Sequence, residues 1–104
     1  MSKMYIVVRD DVPSNYVPVV CAHAALSAYH KNKEDAEVIE WMQNSFKKVV
    51  CKVSNEAFEQ CKNLERSVII TESSLGNQEV ACVLLPRENF PKFVKFLPLY
   101  KYIE

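Results

Sequence analysis

The apolar positions change their period along the chain, and that change marks the elements. Met4-Tyr5-Ile6-Val7-Val8-Arg9 is apolar, β-branched or aromatic with little alternation, which predicts a strand over 4–9 covered on both faces. Asp10 to Asn15 is turn-rich. Pro18 suits the first turn of a helix, where its missing N–H costs little, and Val19 to about Tyr29 carries that helix. Ala22, Ala24, Ala25 and Ala28 make it slim and give it high helix propensity. Such a run lets a helix pack close to a sheet. His30 to Lys33 breaks the pattern. Glu34 to Asn44 reads as a second helix, with Ala36, Ile39, Trp41 and Met42 among acids.

Phe46 to Val53 predicts a second strand. Ser54 is an N-cap for a third helix over 55–65, with Ala57, Phe58, Cys61 and Leu64 apolar at helical spacing. Ser67 to Thr71 is a third strand, residues 72–77 a loop with the only glycine, and Glu79 to Leu85 a fourth strand. Glu88 to Phe96 reads as a short helix with Pro91 near its start, and the aromatic tail from Pro98 has no assignment. The order β-α-α-β-α-β-β-α predicts an α/β fold. It is a single domain over 1–104, with a mixed four-stranded sheet flanked by helices and its last two strands antiparallel.

Composition narrows the class. A chain of 104 residues that is 49% hydrophobic has one core and is not a disordered segment. Thirteen basic and thirteen acidic residues cancel, which excludes a wholesale polyanion-binding surface but leaves a local basic patch open. Cys21, Cys51, Cys61 and Cys82 form no C-x-x-C pair. They read as reduced core residues of a cytoplasmic protein and not as a zinc site. No signal peptide is read at the N-terminus, and no apolar run approaches the ~18 residues that would span a bilayer.

Several residues carry candidate chemistry. His23 sits on the first helix, near the loop that ends strand one, where open α/β sheets place ligands. It reads as an acid/base or substrate-orienting group, or as a helix histidine satisfied by a nearby carbonyl. A Cys21–His23 dyad is disfavoured, because residues two apart on a helix point to different faces. Glu72, at the end of strand three, could share an edge with Asp10 and Asp11 as an acid/base pair or a metal site, or be solvated or capping. Asn77 and Gln78 could add amide hydrogen bonds there. Lys31, Lys33, Lys47, Lys48 and Lys52 could touch phosphates if they shared a face, or simply be solvated. Phe96, Tyr100 and Tyr102 could stack bases or bury a dimer interface, with core packing the default.

The strand ending Val7-Val8-Arg9-Asp10-Asp11, a loop, and then Cys21-Ala22-His23-Ala24-Ala25 resembles the start of the type 2 peptidyl-tRNA hydrolases. There a strand V-V-R-x-D precedes G-K-x-A-A-Q-C-A-H-A-A. The later pattern is also similar: a strand leading through Ser54 into a helix, the strand Val68-Ile69-Ile70-Thr71 leading to an acid, and a last strand ending at Pro86. The resemblance implies cofactor-free hydrolysis of the ester joining a peptide to tRNA, with tRNA or peptidyl-tRNA as partner, no metal, and a homodimer. On this chain the motif lysine falls on Tyr16, its preceding glycine on Asn15 and its glutamine on Val20. The aspartate ending strand three falls on Glu72, and the nearby threonine near Asn77, next to Gln78.

Two functions follow from the resemblance. In the first, the chain is a divergent peptidyl-tRNA hydrolase in which Glu72 handles the proton and His23 orients the site. Tyr16, Asn77 and Gln78 then bind substrate, and Lys31 or Arg9 supplies the missing charge. In the second, the chain is an inactive relative that binds tRNA or protein.

Overall fold

The computed structural model describes residues 2–101; Tyr102 lies outside the described residues. The strands are β1 (Lys3–Arg9), β2 (Lys47–Val53), β3 (Ser67–Glu72) and β4 (Gln78–Arg87). The helices are α1 (Val17–Lys31), α2 (Ala36–Gln43) and α3 (Asn55–Lys62), with 3-10 turns at Ser14–Tyr16, Ser73–Leu75 and Lys92–Phe96. The sheet order is β2-β1-β4-β3. β1 and β2 are parallel, and β4 runs antiparallel to both β1 and β3. The last strand in sequence therefore lies inside the sheet.

Both faces of the sheet are covered, as the unbroken apolar run of β1 requires. Met4, Ile6 and Val8 join α1 and α2 in one core layer, with Val20, Ala24, Ala28 and Trp41. Tyr5 and Val7 join α3 in the other, with Phe58, Cys61, Cys82 and Val94. Alternation along one strand feeds two cores. Ala24 and Ala28 are fully buried between α1 and the sheet. Ala24→Leu should therefore overpack this contact and lower stability by about 1–3 kcal/mol, read as a lower urea midpoint with an unchanged slope.

The elements begin and end for local reasons. Pro18 lies in the first turn of α1. Asp35 caps α2 by accepting from the N–H groups of Glu37 and Val38, so that helix starts at Ala36 and not at Glu34. Ser54 caps α3 through the Ala57 N–H. Phe46 takes a left-handed φ of 52° and stays outside β2.

Two expectations are corrected at the C-terminus. β4 runs through Pro86 to Arg87. The β1–β4 register shifts near there, and a proline fits where ladder pairing is interrupted. The segment 88–96 is no α-helix. Pro91 restrains the residue before it, and only a 3-10 turn forms over Lys92–Phe96. The tail has structure of its own: Lys52 N–H donates to the Pro98 carbonyl, Tyr100 N–H donates to the Val50 carbonyl, and Leu99 bridges Cys51. That pairing covers the outer edge of β2. Phe96 is 75% exposed, not in the core, while Tyr100 packs partly against the α1 side.

Candidate functional site

The direction of the strands decides which residues meet. β1, β2 and β3 all end at one edge, and β4 begins there. Arg9, Glu72 and Gln78 therefore share that edge with the loop 10–16 and the first turns of α1. Ligands bind at such an edge in open α/β sheets.

Glu72 closes β3 and caps the following 3-10 turn. Its Oε2 accepts from the Ser74 backbone N–H at 3.2 Å and from the Ser74 hydroxyl at 2.9 Å. Among the described residues no protein hydrogen bond falls on Oε1. The Ser74 hydroxyl and N–H hold the carboxyl below its ordinary range, and the charge of His23 adds to that lowering. Glu72 and His23 are thus close enough to act on one another through charge, without a hydrogen bond between them. His23 is exposed on α1, whereas Ala24 beside it is buried.

The hairpin brings the amides to the same place. Glu72 pairs in register with Gln78, and the Asn77 N–H donates to the Glu72 carbonyl at 2.9 Å. Gly76 and Asn77 take left-handed φ values of 71° and 59°, which this tight return requires and which glycine and asparagine tolerate best. Both Asn77 and Gln78 are exposed.

Tyr16 ends the 3-10 turn before α1 and packs half-buried against the α1 core. Val20, one turn on, is fully buried. The loop therefore presents an aromatic ring and an alkyl side chain where the motif carries a lysine and a glutamine. Cys21 is partly buried, and desolvation raises its thiol, which does not suit a nucleophile.

Arg9 supplies a cation at this edge. Its guanidinium donates to the Glu79 carbonyl at 3.3 Å and to Asp11 Oδ2 at 3.0 Å, and lies 5.7 Å over the Phe58 ring. Glu79 in turn binds Lys62 at 2.6 Å. Asp10 is exposed, and Asp11 is engaged by Arg9. Among the described residues no group of three or more His, Cys, Asp or Glu could hold a metal ion.

Lys31 is not brought to this edge. It lies in the last turn of α1, about 12 Å along the axis from His23, in a hollow shared with His30, Lys33 and Asp35. A helix running back from the site carries its C-terminus to the other end of the sheet. Ser74 was not singled out from the sequence, although Glu72 two residues before a serine is a legible capping pattern. The buried Cys51, Cys61 and Cys82 lie together in the α3 core, their thiols pushed up to about 11, 11 and 12, chiefly by burial. Among the described residues, no helix is long and apolar enough to cross a membrane.

Residues 2–74 match the family described as peptidyl-tRNA hydrolase PTH2. Among curated proteins none matches the chain. The matched segment is well over half of the sequence and holds β1 to β3, all three helices, His23 and Glu72. On that match, and with the four-stranded mixed sheet and three helices described above, the chain belongs to the type 2 peptidyl-tRNA hydrolase family.

Proposed function

We propose that this protein hydrolyses the ester between a peptide and tRNA at the edge formed by Glu72, His23 and the 77–78 turn. The observation that carries the reading is the Glu72 carboxylate. It is anchored through one oxygen by Ser74, kept ionised, and within the electrostatic reach of His23. Ester hydrolysis needs a water placed against the carbonyl carbon and a group that takes its proton. Glu72 Oε1 receives that proton as the water oxygen bonds to the carbonyl carbon. Collapse of the tetrahedral intermediate breaks the bond to the ribose oxygen, which leaves as a hydroxyl by taking that proton from Glu72, restoring the carboxylate. His23 orients the water or the departing ribose. Asn77, Gln78 and Tyr16 border the substrate, the amides donating hydrogen bonds and the ring packing against it. Arg9, at the end of β1, supplies the cation for the terminal phosphates in the place proposed for Lys31.

In this reading the family domain takes in the whole chain, 1–104, beyond the matched segment. β4 is hydrogen-bonded between β1 and β3, and without it the sheet would fall apart into two pieces. The cytoplasmic setting and the homodimer implied by the resemblance belong to the same proposal.

A second reading is favoured by the loop before α1. With Tyr16 packed on the core and Val20 buried, the motif's lysine and glutamine have no functional substitute at their own positions. The chain would then bind tRNA or protein without turnover. Incubating micromolar protein with a peptidyl-tRNA and following release of deacylated tRNA separates the two. Multiple turnovers are expected from the hydrolase. Saturable tRNA binding with release no faster than in buffer would establish the second reading.

A further inference from the structure

The register of the sheet gathers cations at the end opposite Glu72. Lys3 pairs laterally with Lys47 on β2 and with Arg87 on β4, so three basic residues lie in line across three strands. Like charges directly opposite one another on a sheet are destabilising. Among the described residues Lys3 and Lys47 have no ion pair, while the Arg87 guanidinium sits 5.7 Å over the Phe90 ring. Lys95, from the 3-10 turn, faces the same region. Two hollows of about 510 and 410 Å³ both include Lys3, Tyr5 and Lys95 in their walls. Tyr5 is only 7% exposed, and it packs edge-on against Phe90 at 4.8 Å. Glu88 is the one acid in the lining. The result is a recessed basic groove on the α3 side of a protein whose net charge is zero.

We infer that this groove is a second binding surface that takes the phosphodiester backbone of an RNA through Lys3, Arg87 and Lys95, with Lys47 beside Lys3 in the sheet register. A chain of phosphates supplies the spaced negative charges that would relieve the repulsion, and its contacts would be independent of sequence. RNA is favoured over an anionic bilayer because a flat lipid surface cannot follow a recess floored by Tyr5. Family membership supplies the class of nucleic acid. The groove itself does not depend on hydrolysis at Glu72.

The test is fluorescence anisotropy of the full-length protein with a labelled deacylated tRNA over a series of salt concentrations. Lys3→Gln/Arg87→Gln/Lys95→Gln should lower the slope of log affinity against log salt by about three. It should also weaken binding about a hundredfold at ~0.1 M salt. The same variant should melt at a higher temperature, because the repulsion is gone, and this also shows that it folds. Lys33→Gln, on the other face, should leave the slope unchanged. Glu72→Gln should bind this tRNA as the parent does, so failure of the hydrolase reading and failure of the groove are separable. An unchanged slope in the triple variant overturns the inference. So does loss of sedimentation with phosphatidylserine vesicles at unchanged tRNA affinity, which would make the groove a lipid surface.

Discussion

Glu72→Gln is expected to slow peptide release from peptidyl-tRNA by about a hundredfold or more, the usual range for removing a general base. Glutamine keeps the shape and can still accept from the Ser74 N–H, so the hairpin should hold and tRNA affinity should stay. The pH profile gives a sharper readout. The Glu72 carboxyl is held below its ordinary range, first by the Ser74 hydroxyl, then by the Ser74 N–H, and to a lesser degree by His23. The base is the ionised form, which persists above its own pKa and is lost as pH falls through it. The parent's activity should therefore persist to more acid pH than an unperturbed glutamate would allow. Ser74→Ala should move that acid limb upward, and by more than His23→Asn does. If Glu72→Gln turned over at the parental rate, Glu72 would lose its role as the base.

Asp35→Ala is expected to destabilise the fold by about 3 kcal/mol, because one carboxylate does two jobs. It caps α2 through the N–H groups of Glu37 and Val38 at 3.0 and 3.1 Å, and losing a cap costs about 1 kcal/mol. It also accepts both arms of Arg66 at 2.7 and 3.0 Å; hydrogen bonds to charged groups contribute about 1.5–3 kcal/mol. Arg66 cannot simply turn away. Its backbone is held at φ 62°, its carbonyl accepts from Leu85 N–H, and its Nη2 also donates to the Pro86 carbonyl. Asp35→Asn keeps the cap and should recover roughly a third of the loss. Urea denaturation of the three proteins measures this directly.

The pH dependence has a definite sign. Hydrogen bonding to Arg66 is the main force holding the Asp35 carboxyl below its ordinary value in the folded protein. Its stabilisation is full above the unfolded carboxyl's pKa of about 3.9 and is lost as pH falls through the folded value. The stability gap between the parent and Asp35→Ala should hold from neutral pH to about pH 4 and close below it. A gap independent of pH down to pH 2 would assign the effect to packing.

Much of the fold was legible because it rests on near neighbours in sequence. The apolar run of β1 predicts a strand covered on both faces, and it has two cores. Ser54 predicts the start of α3, and Pro18 the first turn of α1. The ends of elements were less legible where they depend on distant partners. β4 continues through Pro86 because β1 shifts register beside it. The tail at 98–100 is ordered because β2 has a free edge for it to pair with, and no local pattern announces that.

The candidate site divides the same way. Residue types along the chain determined that a histidine, an acid and two amides were available, and that the motif lysine and glutamine were replaced by Tyr16 and Val20. Only the tertiary structure decided that Glu72, His23 and the 77–78 turn share an edge while Lys31 does not, since that depends on strand direction and on α1 running back across the sheet. Only the tertiary structure set Lys3, Lys47 and Arg87 side by side. Those residues lie at least forty positions from one another in sequence, and hydrogen-bond register alone makes neighbours of them. Side-chain periodicity is a local property and can be read from a single segment, whereas pairing joins distant segments and exists only once the chain has folded.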